Sequence, residues 1–415
     1  MINRRRFLGL GAASALAGCA SFGGNEATPR VLIIGAGFGG ATCAKYLAMG
    51  DPALHVVLVD RVQEFVSCPM SNLVVGGSRS MQDLTQRFDG LKKYRVDVLW
   101  GEAVAVDPSR KVVRFGRGSE LVYDRLVLSP GVDFVFEEIA GYETAQPRVL
   151  HAWKAGAQTL ELRRQLEAMA DGGVCVIALP LAPYRSPSGP YERACQVAQY
   201  FKQAKPRSKV LVLDANPDVT SEGPLFKQAW EELYPGIVEY QPNSRVVAVD
   251  AIGMTVRTGS GTIRGDVLNV IPPQRAGDIA VRAGLVARDQ RWCEVDWQSM
   301  ESKMVKGVHV LGDATLPTAG MPKSGQMANS QAKACAAALI ALLRERAPAS
   351  SFVLNNSGYS FVSDQEAIHV ASSHRYDARR RTMVAETNVV SPARSELEAR
   401  NGWSWARNIW ADTFS

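Results

Sequence analysis

Near its N-terminus the chain carries a glycine-rich turn, Gly35-x-Gly37-x-x-Gly40, between a short apolar run and a predicted helix. The run Arg30 to Ile34 is apolar and β-branched, which is typical of a buried parallel strand. A second such run, His55 to Asp60, follows the helix and ends in an acid. This order predicts a dinucleotide-binding βαβ unit, because the glycines allow a tight turn, a close approach to a pyrophosphate and packing of helix on strand.

The same unit predicts how a dinucleotide would be held. The helix N-terminus offers free N–H groups to the phosphates, and Asp60 is placed to accept hydrogen bonds from the adenosine ribose. Downstream, Gly312-Asp313 follows an apolar strand-like run and is similar to the second signature of flavoproteins with two dinucleotide domains. In those proteins the aspartate holds the ribityl chain, so this resemblance implies FAD as the cofactor and not NAD.

A second α/β unit begins near residue 150. Two apolar runs, Val174 to Ala178 and Val210 to Asp214, predict strands around a helix from Tyr191 to Gln203. Where a pyridine-nucleotide domain would carry another glycine turn, this unit has a segment with four prolines, Leu179 to Pro190. Prolines remove N–H donors and fix the backbone, so we expect no NAD(P)H site here.

The predicted fold class is therefore α/β, with two Rossmann-like dinucleotide-binding-type domains, the second degenerate, and a C-terminal α+β domain. The last 70 or so residues alternate strand-like runs with polar turns and end in a Trp-rich tail. The predicted segments are an export signal (1–25), the first stretch of the FAD-binding domain (26–148), a degenerate NAD-type domain (149–270), the second stretch of the FAD-binding domain (271–345) and a C-terminal interface domain (346–415).

Composition excludes several classes of protein. The chain has 415 residues, 46% hydrophobic and 21% charged, which is an ordinary globular composition. No apolar run is long enough for a polytopic membrane protein. Of the net charge of +6, three positive charges belong to Arg4, Arg5 and Arg6, so nucleic-acid binding is not expected.

The first 25 residues predict export. Paired arginines precede the apolar stretch Leu8 to Ala17 and small residues, a pattern that resembles a twin-arginine signal and implies a periplasmic protein exported already folded. The segment Leu16 to Cys19 also matches a lipobox, which would place a lipid on Cys19. Ordinary cleavage near Ala20 is the alternative.

Seven cysteines are present, and no two lie three positions apart. The chain therefore has neither a CxxC zinc or redox pair nor a CxxCH haem attachment, so we expect no metal and infer that any haem belongs to another chain.

Four sequence blocks resemble the flavoprotein subunit of flavocytochrome c sulfide dehydrogenase, a relative of sulfide:quinone oxidoreductases and glutathione reductase. The resemblance runs from about residue 30 to the C-terminus. The blocks are Ser67-Cys68-Pro69-Met70-Ser71-Asn72, Gly189-Pro190-Tyr191-Glu192-Arg193-Ala194, Ile271-Pro272-Pro273-Gln274-Arg275-Ala276-Gly277, and Met321-Pro322-Lys323-Ser324-Gly325 followed by Ala328-Asn329-Ser330-Gln331.

The resemblance implies a cofactor and a partner. FAD would be linked through a thioether to Cys68, since a thiolate is the nucleophile that adds to the flavin, and electrons would pass to a c-type cytochrome subunit in a heterodimer. A structural thiol is the alternative for Cys68.

The resemblance also implies site residues. Glu192 would handle protons, or else serve as a first-turn helix acid. The segment Lys323-Ser324-Gly325 would open a helix toward the flavin pyrimidine, with Lys323 adding positive charge there or remaining a solvated loop lysine.

The chain departs from the family at the redox disulfide that receives sulfide sulfur. The two cysteine positions correspond to Ser186 and Gly358 here, and neither residue can form a persulfide. Cys175 and Cys195 flank the Ser186 segment and are the pair to examine as a replacement, with ordinary core thiols as the alternative.

Three functions remain open from the sequence. The first is oxidation of sulfide or a related reduced sulfur compound without the family disulfide, with electrons passed to a cytochrome. The second is an electron-transferring or accessory paralogue that does not oxidise sulfide. The third is a different flavin oxidase, which hydrogen peroxide production would reveal.

Overall fold

The computed structural model describes residues 28–288 and 290–415. The predicted export signal and the lipobox cysteine, Cys19, lie outside the described residues. None of the helices in the described residues is both long enough and apolar enough to cross a bilayer.

The N-terminal third of the chain forms the predicted βαβ unit and several short strands. Its strands are β1 (Arg30–Ile34), β2 (His55–Asp60), β3 (Glu64–Val66), β4 (Thr85–Arg87), β5 (Asp97–Trp100), β6 (Ala103–Asp107), β7 (Val112–Phe115), β8 (Glu120–Val122), β9 (Arg125–Leu128) and β10 (Val132–Phe134). Its helices are α1 (Phe38–Gly50), α2 (Ser71–Gly76) and α3 (Tyr142–Ala145), with 3₁₀ turns at Gln82–Leu84, Asp89–Tyr94 and Phe136–Glu138.

The middle of the chain repeats the alternation of strand and helix. Its elements are α4 (Ala157–Ala168), β11 (Val174–Leu179), α5 (Gly189–Ala204), β12 (Lys209–Asp214), α6 (Gly223–Leu233), β13 (Val238–Gln241), β14 (Ala248–Asp250), β15 (Thr255–Thr258), β16 (Gly261–Arg264) and β17 (Val267–Val270). Helix α5 begins two residues before the predicted start, because Pro190 suits the first turn of a helix, where its missing N–H is not needed.

The chain then returns to the first sheet. The elements are β18 (Gln274–Ala276), α7 (Asp278–Arg282), β19 (Val295–Asp296), β20 (Glu301–Ser302), β21 (Val308–Val310), a 3₁₀ turn at Gly312–Ala314, and α8 (Gly325–Leu343). The sequence placed this last helix near Ser330. It begins five residues earlier because the Ser324 hydroxyl accepts a hydrogen bond from Met327 N at 3.0 Å and caps the first turn.

The C-terminal region contains β22 (Val353–Phe361), β23 (Ala367–Asp377), β24 (Thr382–Val390) and α9 (Glu396–Phe414). Its strands are 9 to 11 residues long, longer than the short runs expected. The Trp-rich tail is a helix that starts at a Ser395 cap and packs against α1 and β23.

Two sheets organise the molecule, one mostly parallel and one parallel throughout. The first has the order β19-β20-β21-β9-β1-β2-β5 and joins strands from both ends of the chain, with β1, β2, β5, β9 and β21 parallel. The second has the order β13-β12-β11-β17 and is parallel throughout. With the antiparallel sheet β22-β23-β24 and α9, this confirms the predicted fold class. The domain boundaries stay predictions.

Burial explains why these strands form. Residues Val31 to Ile34 of β1 are at most 7% exposed, as expected for a strand covered by helices on both faces of a parallel sheet. All strand carboxyl ends in a parallel sheet meet at one edge, so the turns after β1, β2 and β9 come together. That edge of the first sheet holds the candidate site.

Candidate functional site

A cavity of about 990 Å³ lies where the first sheet, the second α/β unit and the C-terminal sheet meet. Its lining includes nearly all the residues singled out from the sequence, although these are up to 323 positions apart (from Gly35 to Gly358). They are Gly35, Gly37, Asp60, Cys68, Ser186, Glu192, Gly312, Asp313, Lys323, Ser324, Gly325 and Gly358. Gly40 lies outside the lining.

The glycine turn is built without room for side chains. Gly35 has φ of +97°, and a Cβ there would lie 2.3 Å from Ser129 O. A Cβ on Gly40 would lie 1.8 Å from Gly35 O, so this glycine lets α1 pack closely on the turn and does not face the cavity. Among the described residues no side chain caps the N-terminus of α1 at Gly37. Its first-turn N–H groups are therefore available to a phosphate.

Gly39 has a packing role that the motif does not predict. A Cβ on this residue would lie 2.5 Å from both Leu311 Cδ1 and Ser129 Oγ. Gly39 thus lets α1 approach the strand ends β9 and β21 from the other side. The only signal was the doublet Gly39-Gly40, which the motif spacing does not require.

Asp60 holds the turn and also faces the cavity. Its Oδ2 accepts from Ala36 N at 2.6 Å, and its Oδ1 accepts from Val62 N at 3.0 Å. The carboxylate is half-buried and keeps lone pairs for a further donor. This geometry is compatible with the predicted contact to a ribose.

Asp313 provides the test of whether an FAD fits. Its carboxyl is buried and lines the cavity, yet Oδ1 has no hydrogen-bond partner among the described residues. Burial raises the pKa of this carboxyl, and the positive charges of Arg185 and Lys323 oppose the rise. An unpaired buried acceptor costs about 1–3 kcal/mol, which a ligand hydroxyl donating to it would recover. The residues present therefore fit the ribityl chain of FAD.

Lys323 is buried and 4% exposed, so it is not a solvated loop lysine. Its Nζ donates to Asp313 O at 2.8 Å and to Thr315 O at 2.5 Å, and lies 3.6 Å from the centroid of the Trp292 ring. Burial lowers the pKa of Lys323 to about 7. The ammonium is thus held against the strand end that carries Asp313, and its proton is exchangeable near neutral pH.

The start of α8 is fixed by two neighbouring contacts. Ser324 Oγ donates to Asn356 Oδ1 at 2.6 Å while it caps the helix. A Cβ on Gly325 would lie 2.6 Å from the Phe38 ring, so α8 and α1 begin side by side at the cavity. Two helix N-termini of positive polarity therefore face the same space.

Cys68 is half-buried and lines the cavity as a free thiol. Its Sγ accepts from Ala155 N at 3.5 Å. The preceding Ser67 is tied to the C-terminal helix, since its Oγ accepts from Trp410 Nε1 at 3.0 Å. Met70, with φ of +72°, then turns the chain into α2.

Glu192 lies in the first turn of α5, is 7% exposed and faces the cavity. Its Oε1 accepts from Phe361 N at 2.9 Å and its Oε2 from Asn72 Nδ2 at 2.7 Å. Burial raises the pKa of Glu192 to about 7. A carboxyl with that pKa can accept or release a proton at neutral pH.

Two polar residues around Glu192 were not recognised from the sequence as site residues. Arg193 is 1% exposed and donates to Asn72 Oδ1 at 3.0 Å, which fixes the amide that bonds Glu192. Glu222 is also buried, and burial and the Glu192 charge raise its pKa to about 7. Its Oε1 lacks a hydrogen-bond partner within the described chain. No motif marks Glu222, which lies 30 positions from Glu192.

The two positions that hold cysteines in the resembled family both face this cavity. Ser186 has φ of +57°, and its N–H donates to Lys323 O at 2.8 Å. Gly358 lies in β22 opposite Val370, and a Cβ there would contact Val370 Cγ1 at an ordinary 3.6 Å. Cys68 is the one cysteine of the described residues that lines the cavity.

Cys175 and Cys195 are free thiols buried at 0–1% exposure. Both belong to the core of the second unit and neither lines the cavity. They thus do not replace the missing redox pair at the site. Across residues 28–288 and 290–415, no group of three or more His, Cys, Asp or Glu could hold a metal ion.

Known proteins are similar to this chain in both sequence and fold. Residues 159–272 match the central domain model of the sulfide dehydrogenase [flavocytochrome c] flavoprotein chain, and 350–414 match the flavocytochrome c sulphide dehydrogenase flavin-binding model. Residues 29–181 match the pyridine nucleotide-disulphide oxidoreductase model.

Among curated relatives, the sulfide dehydrogenase [flavocytochrome c] flavoprotein chain of Chlorobaculum thiosulfatiphilum is 53% identical over 47 residues, 11% of this chain and 98% of that sequence. The mitochondrial sulfide:quinone oxidoreductase of Mus musculus is 22% identical over 304 residues, 70% of this chain and 66% of that protein.

The X-ray structure of sulfide:quinone oxidoreductase from Aquifex aeolicus superposes with a TM-score of 0.77 at 18% identity, over 93% of this chain and 91% of that one. At that identity the likeness shows the fold alone. The family models and the Chlorobaculum relative confirm the resemblance found in the sequence, and FAD is the cofactor that the site fits. The chain belongs to the family of flavocytochrome c sulfide dehydrogenase flavoprotein chains.

Proposed function

We propose that this protein is an exported FAD-dependent oxidoreductase that takes electrons from sulfide or a related reduced sulfur compound and passes them to a c-type cytochrome. The proposal includes a mechanism that does not use the family disulfide. The observation that carries it is the position of Glu192, Ser186 and Gly358 around the same cavity as the flavin-binding residues.

The residues around the cavity suit a small acidic substrate. Hydrogen sulfide must lose a proton before it can act as a nucleophile, and Glu192 has a suitable pKa of about 7. Ser186 and Gly358 occupy the positions of the disulfide without its bulk, so a sulfur species has room to approach the flavin itself.

The electrons balance without any thiol of the protein. Hydrosulfide loses two electrons and one proton, and the resulting zero-valent sulfur bonds to a second hydrosulfide as hydrodisulfide. When bound, FAD would supply a carrier that can accept two electrons together and release them one at a time. Lys323 and the start of α8 favour negative charge that develops beside them.

Covalent attachment of FAD to Cys68 belongs to the proposal. Supporting it are the free, half-buried thiol at the cavity wall and the fixed segment around it, with Ser67 bonded to Trp410. Mass spectrometry of the denatured protein tests the link. Retention of the FAD mass in the native chain and its loss in Cys68→Ala are expected, whereas free FAD from the native chain would contradict the link.

A strand edge beside the flavin cavity is available to a cytochrome partner. Strand β24 is the outer strand of the C-terminal sheet, and Val389 and Val390 are 60% and 46% exposed. The neighbouring Asn388 lines the flavin cavity. An apolar strand edge beside the cavity favours a protein acceptor at this place. Export itself rests on the sequence of residues 1–25, as does the alternative lipid anchor at Cys19.

The loss of both family cysteines favours one other function. A paralogue that carries electrons between other donors and a cytochrome would need FAD and the exposed edge of β24. It would need no sulfur chemistry at Ser186 and Gly358. Such an accessory flavoprotein would be reduced by dithionite and oxidised by cytochrome c.

An anaerobic titration of the FAD-loaded protein distinguishes sulfide oxidation from electron transfer without sulfide oxidation. Bleaching of the flavin absorbance by sulfide, with recovery on addition of ferric cytochrome c, is expected. Glu192→Gln should slow the bleaching, and Glu231→Gln, an exposed acid of α6, is the matched control. A spectrum unchanged by sulfide but bleached by dithionite would refute the sulfide reaction and leave the electron-transfer function.

A further inference from the structure

A second cavity, of about 250 Å³, lies at the carboxyl end of the four-stranded parallel sheet. The last residues of β11 and the end of β17 form one side, and only Ala182 and Pro183 of its lining also line the flavin cavity. In open α/β sheets, ligands bind at this edge of the strands. The loop at this edge lacks a phosphate-binding glycine turn, so its sequence predicts no dinucleotide here.

Gln274 gives the cavity an unsatisfied donor. The side chain is 2% exposed, and its Oε1 accepts from Arg185 N at 2.9 Å, which fixes the orientation of the amide. Its Nε2 has no hydrogen-bond partner among the described residues, and Gln274 lines this cavity but not the flavin cavity. A buried amide N–H₂ without an acceptor is costly, so this donor favours a ligand that places an oxygen next to it.

The charged residues of the lining indicate the charge of the ligand. Arg245 and Arg291 both pair with Glu138, with Arg245 Nη2 3.4 Å from Glu138 Oε2. Two guanidinium groups and one carboxylate leave a charge of +1 among the described lining residues. Both arginine side chains are about half exposed, so N–H groups remain available to a ligand.

The rest of the lining is apolar and poor in donors. It consists of Ile139, Ala178, Leu179, Pro180, Leu181, Ala182, Pro183, Val246, Val270, Ile271, Pro273 and Trp292. The prolines contribute no N–H groups. A matching ligand therefore carries one negative charge with acceptor oxygens at one end and a compact apolar body.

We propose that this cavity binds a small organic monocarboxylate, whose carboxylate accepts from Gln274 Nε2 and faces the guanidinium groups of Arg245 and Arg291. The site goes beyond the proposed sulfur chemistry and does not depend on it. Trp292 separates the two cavities, since it lines the second one and its ring lies 3.6 Å from Lys323 Nζ at the first. The bound acid would thus lie one side chain away from the flavin site.

Calorimetric titration of the FAD-loaded protein with benzoate tests the proposal, with benzyl alcohol as the uncharged counterpart. Saturable one-to-one binding of benzoate and none of the alcohol is expected. Gln274→Glu keeps the acceptor for Arg185 N and replaces the free N–H₂ by a charged oxygen. This change should weaken benzoate binding by roughly tenfold or more.

Arg291→Gln, at a half-exposed position, should weaken binding similarly and guards against a folding defect in the buried variant. Arg264→Ala, which removes an exposed arginine of β16 outside both cavities, should bind benzoate like the native chain. The proposal is overturned if millimolar benzoate gives no saturable heat, if Gln274→Glu and Arg291→Gln bind as tightly as the native chain, or if benzyl alcohol binds equally well.

Discussion

The two βαβ units of this protein share a scaffold and differ in the turn that follows the first strand. In the first unit three residues, Gly35–Gly37, connect β1 to α1, and in the second nine residues, Pro180–Ser188, connect β11 to α5. The short turn exposes a helix N-terminus and backbone to the cavity. The long loop carries Ser186 to the same cavity, and the first turn of the helix that follows adds the side chain of Glu192. One scaffold thus binds through its backbone, and the other supplies side chains.

The largest expected effect comes from filling the short turn. Gly40→Ala would place a Cβ 1.8 Å from Gly35 O, and because that atom is backbone, α1 must move off the strand. We expect a loss of more than about 3 kcal/mol in the free energy of unfolding and loss of bound FAD. Urea denaturation and the flavin-to-protein absorbance ratio measure both. Gly259→Ala, where a Cβ meets nothing within 4 Å, is the control; equal stability of the two variants would contradict this reading of the turn.

A buried acid of the second unit should make the stability of the protein depend on pH. Burial raises the pKa of Glu192 from 4.5 to about 7, so its contribution to stability is complete below pH 4.5 and is lost as the pH rises through 7. In the apoprotein, Glu192→Gln should remove up to about 3 kcal/mol of that decline. Glu222 shifts the same way and keeps some of the slope. Unfolding free energies at pH 5 and 8 test this, and an unchanged slope in Glu192→Gln would refute it.

Cysteines at positions 186 and 358 would test whether the side chains supplied by the long loop set the rate of the sulfide reaction. Gly358 has room for a Cβ and Ser186 already carries one, so Ser186→Cys/Gly358→Cys should fold. Because the resemblance implies that these two positions are disulfide partners in the family, we expect the two cysteines to oxidise to a disulfide at the cavity. We expect flavin bleaching by sulfide to accelerate by about tenfold or more, corresponding to at least 1.4 kcal/mol. Stopped-flow absorbance measures the rate. Each single variant should stay near the native rate; equal rates in all four proteins would show that the disulfide gives no advantage in this cavity.

The smallest expected effect concerns the hydrogen bond that connects Ser67, the neighbour of Cys68, to the C-terminal helix. Trp410→Phe and Ser67→Ala each break the hydrogen bond from Trp410 Nε1 to Ser67 Oγ and should cost about 1 kcal/mol. In a double-mutant cycle the two losses should not add, because they remove one shared interaction. Thermal unfolding of the four proteins measures the coupling, and full additivity of the two losses would show that this hydrogen bond does not contribute to stability.

Much of the first unit is predictable because its determinants are local. An apolar run buried on both faces, a glycine turn and a terminal acid occur within 31 residues, Arg30 to Asp60, and the strands and helix form there as expected. The family blocks predict Cys68, Glu192 and Lys323 as site residues, and the Gly312-Asp313 signature adds Asp313; all four line one cavity.

The rest depends on contacts between distant positions. Nothing in the local sequence pairs Arg193 with Asn72 or brings Glu222 near Glu192, and the helix of the Trp-rich tail depends on its cap at Ser395 and its packing on α1. The second cavity joins Glu138, Arg245, Gln274 and Arg291 with no recognisable spacing.

The order of strands in the first sheet has a consequence for how this protein is made. Strand β9, near residue 128, finds its neighbour β21 only at residue 308, and α1 is covered by a helix that ends at residue 414. At about 5–20 residues per second, a ribosome needs roughly 10–40 s to deliver β21 after β9. During that interval the edge of β9 that pairs with β21 is unpaired, and the part of the flavin site that contains Asp313 has not been synthesised. Cofactor insertion must therefore follow synthesis of most of the chain, and the nascent N-terminal unit needs protection from aggregation.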